Sequence, residues 1–524
     1  MKRRNWVMAA GMMLAFSLAC GSACMAQEAE KSITVMVGGG EMNPEMSDTI
    51  YTSGNMDIYM MVYDGLVTYG EHGVYEPALA ESWEISDDGL EYVFHLREGV
   101  KFSDGTDFNA DSVLFNTDRW GMDAAGAGMN FSAPLEGVEK IDDYTVKFTF
   151  GAASNTIMIE LTYARPFRFL AKSALDEDGN FVQMVGTGQW MIDSFIPDEE
   201  VQLVPNPYYW GEQPKLDRII LRAVADGQSR TMALQSGDAD LSLADIPAEN
   251  MAMLEQDENL TVLNAEGTNT TFLGLNYDSP ILQDQKVRQA LNYAADTVTI
   301  ATSILNSPDS AAFGEYAPNI KYVTDENNKG YEYDPGKAKE LLAEAGYEDT
   351  DGDGIVEKDG EPLTLRLNYY TEAHANWKTI CEYLKSVYEA VGIGIELCET
   401  DSGAYFDAIW TTRDYDMIIY TSWGDYYEPS GWIKGCFYQT EDTPAAFWYD
   451  EKLNSDFDAA ITVMDDEGQQ EAYGGMIQYM NEQAMTVPLY YSVRTYIYNS
   501  RLTGVEAGPT SYDAIRWGKI DIAE

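Results

Sequence analysis

Residues 77–111 read PALAESWEISDDGLEYVFHLREGVKFSDGTDFNAD. Four apolar side chains in this stretch alternate with polar ones, which is the period of a half-buried strand: Leu90, Tyr92, Phe94 and Leu96. The Asp87-Asp88-Gly89 run before them is a hairpin turn signal. Asn109, further on, has the side chain expected at the N-cap of a helix. The stretch therefore predicts a β-hairpin that is followed closely by a helix.

The rest of the chain continues this mixture of short strands and amphipathic helices. Alternation predicts strands at Ser32–Val37 and at residues 144–150, and helical periodicity predicts helices at residues 285–296 and 335–345. Strands interleaved with helices indicate an α/β architecture with mixed sheets. No internal repeat is present, which argues against a solenoid.

Length and composition narrow the class of protein further. The chain has 524 residues, about three times a typical domain, so one large domain or two to three interlocked ones are expected. Its 35 Tyr and 11 Trp are enough for a sizeable core and exclude global disorder. A formal net charge of −54 argues against nucleic acid as a partner, because few cations could replace the counterions of a polyanion.

The N-terminus predicts an export signal over residues 1–26. Lys2, Arg3 and Arg4 precede an uncharged run at residues 6–19 that is too short for an ordinary membrane span. Two processing routes fit: Cys20 as the lipidated first residue of a lipoprotein, or cleavage after Ala26. In both cases we expect the protein to work outside the cytoplasm, in the periplasm or as a lipoprotein anchored to the cell surface.

The cysteines that remain after residue 26 do not form a disulfide framework. They are Cys381, Cys398 and Cys436, an odd number in a long chain. Buried thiols are the expectation, and a single Cys381–Cys398 bridge is the alternative.

An acidic loop offers a weak calcium motif. Asp349, Asp351 and Asp353 have the spacing of a calcium loop, but Gly360 stands where the motif needs a bidentate glutamate. A solvated turn between a helix and a strand is therefore favoured over a calcium site, and no cofactor is expected.

Catalytic signatures are missing from the sequence. It contains no G-x-S-x-G elbow, no H-E-x-x-H motif and no Cys/His cluster with metal-ligand spacing. The three histidines, His72, His95 and His374, are each interpreted as surface residues. A secreted hydrolase with a carboxylate pair remains the distant alternative, because nothing singles out two of the 87 acidic residues.

The opening stretch and five later motifs together resemble family 5 of the extracytoplasmic solute-binding proteins, the receptors of peptide and nickel ABC importers. The later motifs follow in family order over nearly all of the chain: Gly186-Thr-Gly188, and the runs at residues 206–211, 234–240, 287–294 and 487–491. The resemblance implies a type II clamshell of two α/β lobes, with an extra subdomain in the N-lobe. Lobe I would take residues 27–272, lobe II residues 273–486, and residues 487–524 would return to lobe I.

The resemblance also implies ligand-binding residues in the cleft between the lobes. Arg165, in an R-P-F-R-F segment similar to that of nickel-binding members, would grip a chelator's carboxylate through two parallel hydrogen bonds. Trp423, Tyr427 and Met56 match cleft residues of the nickel type, whereas Asp425 falls where peptide-type members hold an α-ammonium. An Arg165–Asp425 ion pair in the empty cleft is the structural alternative.

The resemblance finally implies what the protein does. Lobe closure would bury a small solute, and the closed form would dock on a membrane permease that works with an ATPase. The ligand would be a nickel or other metal chelate, or a short peptide, and the receptor is expected to be monomeric. A sensor or adhesin built on the same clamshell is a further alternative.

Overall fold

A ten-stranded mixed sheet extends through the computed structural model, which describes residues 30–38, 42–49, 56–70, 73–127, 131–164, 166–307, 310–371, 374, 376–423, 428–441, 443–510 and 513–523. The predicted export signal at residues 1–26 lies outside these residues. The strands are β1 Ser32–Val37, β2 Val67–Tyr69, β3 Tyr75–Pro77, β4 Ala80–Ile85, β5 Glu91–Leu96, β6 Leu135–Asp142, β7 Thr145–Phe150, β8 Trp190–Ile196, β9 Glu200–Pro205, β10 Arg218–Ala223, β11 Leu241–Ser242, β12 Leu260–Leu275, β13 Glu357–Lys358, β14 Glu361–Pro362, β15 Thr364–Tyr369, β16 Gly394–Glu399, β17 Met417–Thr421, β18 Thr486–Asn499, β19 Leu502–Thr503 and β20 Asp521–Ile522.

Helices lie between the strands along the whole chain, as the sequence predicted. They are α1 Met56–Val62, α2 Ala110–Ala127, α3 Ile157–Glu160, α4 Gly227–Ser236, α5 Ala248–Leu254, α6 Gln285–Ala294, α7 Thr297–Thr299, α8 Pro335–Glu344, α9 Trp377–Glu389, α10 Ser402–Asp407, α11 Ser430–Cys436, α12 Glu451–Ala460 and α13 Asp466–Gln483. Among the described residues, no helix combines the length and the apolar character that crossing a bilayer requires.

Two long strands join the halves of the main sheet, whose order is β16-β15-β17-β12-β18-β11-β1-β10-β9-β8. Strand β12 pairs antiparallel with β18 from Leu260 opposite Asn499 to Gly274 opposite Thr486. The register shifts between Glu266 and Thr270, and a bulge of this kind lets a strand bend. Parallel pairs on both sides, β1 with β10 and β15 with β16, make the sheet mixed.

The opening stretch forms part of a separate antiparallel sheet of order β4-β5-β7-β6. Strands β4 and β5 make the predicted hairpin around Gly89, whose φ is 68°. Tyr92, Phe94 and Leu96 of β5 are almost fully buried, so the predicted apolar face is confirmed. Helix α2 begins after Asn109, whose Oδ1 accepts from the backbone N–H groups of residues 111 and 112. The predicted N-cap is therefore also confirmed.

The large apolar side chains collect into two main clusters. One takes buried residues from Ile33 to Leu241 and from Tyr496 to Ile520. The other takes buried residues from Phe272 to Leu489. Strands β12 and β18 contribute residues to both sets, so they carry the chain from one core to the other. The lobe boundaries at residues 272 and 486 stay a prediction.

The structure distinguishes between the two expectations for the cysteines. Cys381, Cys398 and Cys436 are all free thiols, so the alternative of a Cys381–Cys398 bridge is wrong. Cys381 and Cys436 are buried, whereas Cys398 is partly exposed.

At the acidic loop, carboxylate oxygens of four side chains lie within 4.8 Å of one another, and they are Asp349, Asp351, Asp353 and Glu357. The three aspartates accept hydrogen bonds from backbone N–H groups of their own turn, and Glu357 accepts a hydrogen bond from the backbone N–H of Thr350. This geometry suits the solvated turn that the sequence favoured, in which the acidic side chains stabilise the turn itself.

A buried glutamate makes the stability of the second core depend on pH. Glu315 is 3% exposed and accepts hydrogen bonds from the Thr486 hydroxyl and, at 3.4 Å, the Trp432 indole. Burial raises the pKa of Glu315 to about 7. The folded chain therefore keeps a proton that the unfolded chain loses near its ordinary pKa, so this group lowers stability as pH rises through 7.

We expect Glu315→Gln to be more stable than the parent by up to about 3 kcal/mol at pH 8.5, because an amide needs no charge in the core. The difference should be much smaller at pH 5, where the folded-state carboxyl is already neutral. Urea unfolding at both pH values measures it, with the exposed Glu361→Gln as control. Parallel pH profiles for the parent and Glu315→Gln would contradict the prediction.

Candidate functional site

Two neighbouring cavities lie beside strands β12 and β18, where the chain passes from one apolar core to the other. The larger has a volume of about 490 Å³ and the smaller about 250 Å³. Asn269, His374 and Thr421 line both of them, so the two cavities are neighbours. Such a volume suits a small molecule.

The larger cavity has an acidic wall. Three carboxylates line it, from α1, from the segment after β11 and from the C-terminal side of α5: Asp57, Asp245 and Glu255. Arg494 of β18 also lines it, but its guanidinium donates to the backbone carbonyls of Glu266, Gly508 and Thr510. Because three carboxylates face one guanidinium in the described part of this wall, it favours a cationic or zwitterionic ligand.

Charged groups surround Asp57, which lines the larger cavity. Desolvation, together with the nearby carboxylate of Asp513, raises the pKa of Asp57 to about 7. Burial also raises the pKa of Asp513, while Arg516, Arg168 and Arg494 act in the opposite direction. A cation placed beside Asp57 would favour its ionised form.

The smaller cavity is an aromatic chamber. Four parts of the chain supply its rings. Tyr370 follows β15, and His374 and Trp377 lie just before and at the start of α9. The others are Tyr405 and Phe406 of α10, Tyr420 of β17 and Trp423 just after it. The Trp377 indole donates to the Tyr490 hydroxyl at 3.2 Å, which ties the chamber to β18. Rings with exposed faces and edges can hold the planar or cationic parts of a ligand.

His374 occupies the junction of the two cavities. Its imidazole stacks on Trp377 with ring centroids 3.8 Å apart and planes 14° apart, and it meets Tyr370 edge-on. Desolvation lowers the pKa of His374 to about 4, so the ring is neutral at physiological pH.

The interpretation of His374 as a surface residue is therefore wrong, because its ring lines both cavities and packs against Trp377 and Tyr370. Exposed His95, 3.7 Å from Glu84, fits the surface interpretation. His72 lies outside the described residues.

Trp423 lines the aromatic chamber, as expected for a cleft residue. Its indole N–H donates to the Tyr420 hydroxyl at 3.3 Å, and its ring meets Trp432 edge-on at 5.7 Å. Gly435 of α11 approaches the Trp423 ring so closely that a Cβ there would overlap it. The absence of a side chain at Gly435 is what allows α11 to approach the indole this closely.

The other predicted ligand-binding residues are placed only in part. Arg165, Asp425 and Tyr427 lie outside the described residues. Met56 opens α1 and is half-buried against the first apolar cluster, while its neighbour Asp57 lines the larger cavity. The ligand contacts of these residues stay predictions.

Sequence reasoning missed several residues of the site. Asp57, Asp245, Arg494 and Tyr490 line the cavity, yet none of them belongs to a local motif with a chemical signature. Tyr490 does fall within the V-P-L-Y-Y run at residues 487–491, which pointed to the family rather than to a contact. Only the position of Asp57, next to Met56, offered a signal.

Known proteins share this architecture over most of the chain. The family profile "Bacterial extracellular solute-binding proteins, family 5 Middle" matches residues 74–444. A nickel-binding periplasmic protein of Escherichia coli strain K12 is 28% identical over 90% of this chain and 91% of its own. A glutathione-binding protein of Escherichia coli O1:K1 is 27% identical over 96% of both chains.

Among solved structures, NikA from Brucella suis in complex with Fe(III)-EDTA superimposes with a TM-score of 0.86 at 25% identity. The superposition covers 94% of this chain and 99% of that one. The predicted fold, that of a family 5 solute-binding protein, is thereby confirmed.

We expect Gly435→Ala to push the Trp423 indole out of its position, because the added methyl group needs the volume that the ring occupies. Overpacking of this kind costs about 1–3 kcal/mol. Tryptophan emission and urea unfolding should both change. Gly475→Ala is the control, since that glycine lies in helix α13 with no atom within 4 Å of an added Cβ. Unchanged emission and stability in Gly435→Ala would show that the ring has room to move.

Proposed function

Since this chain belongs to family 5 of the bacterial extracellular solute-binding proteins and is the substrate-binding component of an ABC importer, we propose that it captures a small metal chelate between two lobes and delivers it to a membrane permease. Membership of this family of transport receptors also confirms the expectation that the protein is not an enzyme. The hydrolase alternative is therefore wrong.

The cavity beside β12 and β18 carries the proposal. Its volume of about 490 Å³, with the aromatic chamber beside it, suits a solute of a few tens of atoms and not a macromolecule. Its position against the two strands that connect the apolar cores is where a hinged closure would bury a ligand.

The charges of the wall favour a solute that contains a cation. Asp57, Asp245 and Glu255 line the larger cavity, and the whole chain carries a net charge of −54. A metal ion bound by a small carboxylate chelator is a zwitterionic solute of this kind. Arg165 would pair with the chelator's carboxylate, and Asp425 with an amino group on it. Trp423, Tyr427 and Met56 would contact its apolar parts.

Two relatives support a metal chelate in particular. The Escherichia coli protein described as nickel-binding aligns over 90% of this chain, and the Brucella suis structure holds Fe(III)-EDTA. At 28% and 25% identity these similarities support a chelated metal as the solute and leave the chelator open.

A short peptide is the second candidate. The glutathione-binding relative aligns over 96% of this chain. The carboxylates of Asp57 and Asp245 could hold the α-ammonium of a peptide in the same cavity.

Contacts between segments that belong to the two proposed lobes support a closed arrangement. We call the contacts of Asn155 and Glu160 with the α11–α13 region the clasp. Asn155 donates from Nδ2 to the carbonyls of Ala460 and Val463 at 2.8 Å, and its Oδ1 accepts from Tyr473. Lys434 lies 3.5 Å from the buried carboxylate of Glu160.

A second contact of the same kind lies nearer the cavities. The Tyr75 hydroxyl donates to the buried carboxylate of Glu428 at 3.1 Å, and Lys321 lies 3.5 Å from the same oxygen. We propose lobe I at residues 27–272 and 487–524 and lobe II at residues 273–486, with the hinge in β12 and β18. The mature receptor would be a monomer, processed at Cys20 or after Ala26, that hands its solute to a permease driven by an ATPase.

Native mass spectrometry of the protein purified with its natural solute tests the proposed solute class. We expect an added mass that contains a transition metal with its isotope pattern, because the acidic wall would retain a chelated cation. A ladder of peptide masses without metal would replace the chelate with the peptide alternative.

Arg165→Ala should weaken binding of Ni²⁺–iminodiacetate at least about tenfold, because one charge-assisted pair with a carboxylate is lost. Isothermal titration calorimetry measures the affinity and a thermal melt checks the fold. Arg222→Ala is a matched control, since that arginine is 44% exposed and pairs with Glu200 on the sheet surface. A large loss of stability with unchanged affinity would mean that Arg165 is structural.

Asn155→Ala should loosen the clasp and raise the apparent Kd at least about tenfold, because the side chain loses three hydrogen bonds that each contribute about 1 kcal/mol to the closed state. Small-angle scattering of the ligand-free protein should show a larger radius of gyration. Asn180→Ala, in an exposed turn, is the control. A variant as compact and as tight-binding as the parent would remove the clasp from the closing mechanism.

A further inference from the structure

Among the residues that the structure describes, no side chain or backbone group makes a hydrogen bond to the imidazole of His374, which lines both cavities. Within the described part of the chain, neither of its ring nitrogens makes a hydrogen bond or an ion pair, although the ring is largely desolvated. Other polar groups that line the same space are engaged: Asn269 with Ser422 and Ser492, Tyr490 with Trp377, and Trp423 with Tyr420. The ring nitrogens of His374 are therefore available to a ligand that enters the cavities.

The position of the ring leaves its nitrogens accessible. Trp377 covers one face of the imidazole at 3.8 Å and Tyr370 meets it edge-on. The lone pair of a neutral imidazole lies in the plane of the ring, so stacking on a face does not block it. His374 lines both cavities, and this plane therefore borders the space where the acidic wall and the aromatic chamber meet.

A neutral imidazole is the protein ligand that late first-row transition metals accept most often. It needs no proton removed before it binds. The stacked contact with Trp377 also holds the ring in one orientation, which reduces the entropy lost on coordination.

We propose that His374 is a direct ligand of the metal ion in the bound chelate, so that the receptor selects complexes with an open coordination position. This inference rests on the proposed function, because it assumes that the solute carries a metal. The chelator supplies most of the ligands, one imidazole nitrogen of His374 fills an open position, and water in the cavity hydrogen-bonds to the other nitrogen. A coordinatively saturated complex cannot make this bond, so its affinity depends only on its contacts with the other residues of the cavity.

Two probes with the same chelator separate this inference from the proposed function. Ni²⁺–iminodiacetate is tridentate and leaves positions open, whereas the exchange-inert Co³⁺ complex with two iminodiacetates leaves none. We expect His374→Phe, which keeps a ring on Trp377, to weaken binding of the nickel probe at least about tenfold and to weaken binding of the cobalt complex much less. His95→Phe, on the exposed face of β5, is the matched control.

A spectroscopic readout identifies the bond itself. Iminodiacetate contains no imidazole, so pulsed electron paramagnetic resonance of bound Cu²⁺–iminodiacetate should show imidazole nitrogen in the parent and in His95→Phe, and not in His374→Phe. His374→Gln is used in the same way if the phenylalanine variant does not fold. Equal nickel affinities in the parent and both His374 variants, or an imidazole signal that survives them, would overturn the role of His374 alone. A parent protein that binds neither probe would overturn the metal-chelate function as well.

Discussion

The pairing of β12 with β18 is the constraint on which the rest of the structure depends. Their ladder runs from Leu260 opposite Asn499 to Gly274 opposite Thr486, and each strand contributes residues to both apolar clusters. Without this ladder the main sheet would divide into two smaller sheets. The cavities lie along the same strands, so the hydrogen bonds that join the cores also position Asn269, Tyr490 and Arg494 in the binding site.

Around that ladder, the two walls of the site have different chemistry. The wall that includes α1 and the segment after β11 supplies carboxylates, whereas the wall built from β15, α9, α10 and β17 supplies rings. His374 lies between them and is neutral because it is desolvated. An acidic wall opposite an aromatic one suits a solute with separate cationic and apolar parts, which both candidate solute classes have.

The local structure of the first hairpin could be predicted from the sequence because alternation, the Asp87-Asp88-Gly89 turn and the Asn109 cap act over short distances. The overall fold could also be predicted, because each family motif consists of residues that are close together in the chain. The cavity wall could not be predicted, because it joins segments separated by hundreds of residues, such as those of Asp57 and Arg494. His374 was misplaced for a different reason: Tyr370 and Trp377 are close to it in sequence, but the sequence does not show that their rings pack against the imidazole beside the cavities.

The register shift between Glu266 and Thr270 has a consequence for motion. Both connections between the halves of the sheet are hydrogen-bonded neighbours, so sliding one half past the other would shear the whole β12–β18 ladder. Bending across the irregular stretch breaks far fewer bonds. In the proposed closure the low-energy degree of freedom is therefore a rotation about one axis, which would bring the receptor to the same closed geometry each time a solute enters.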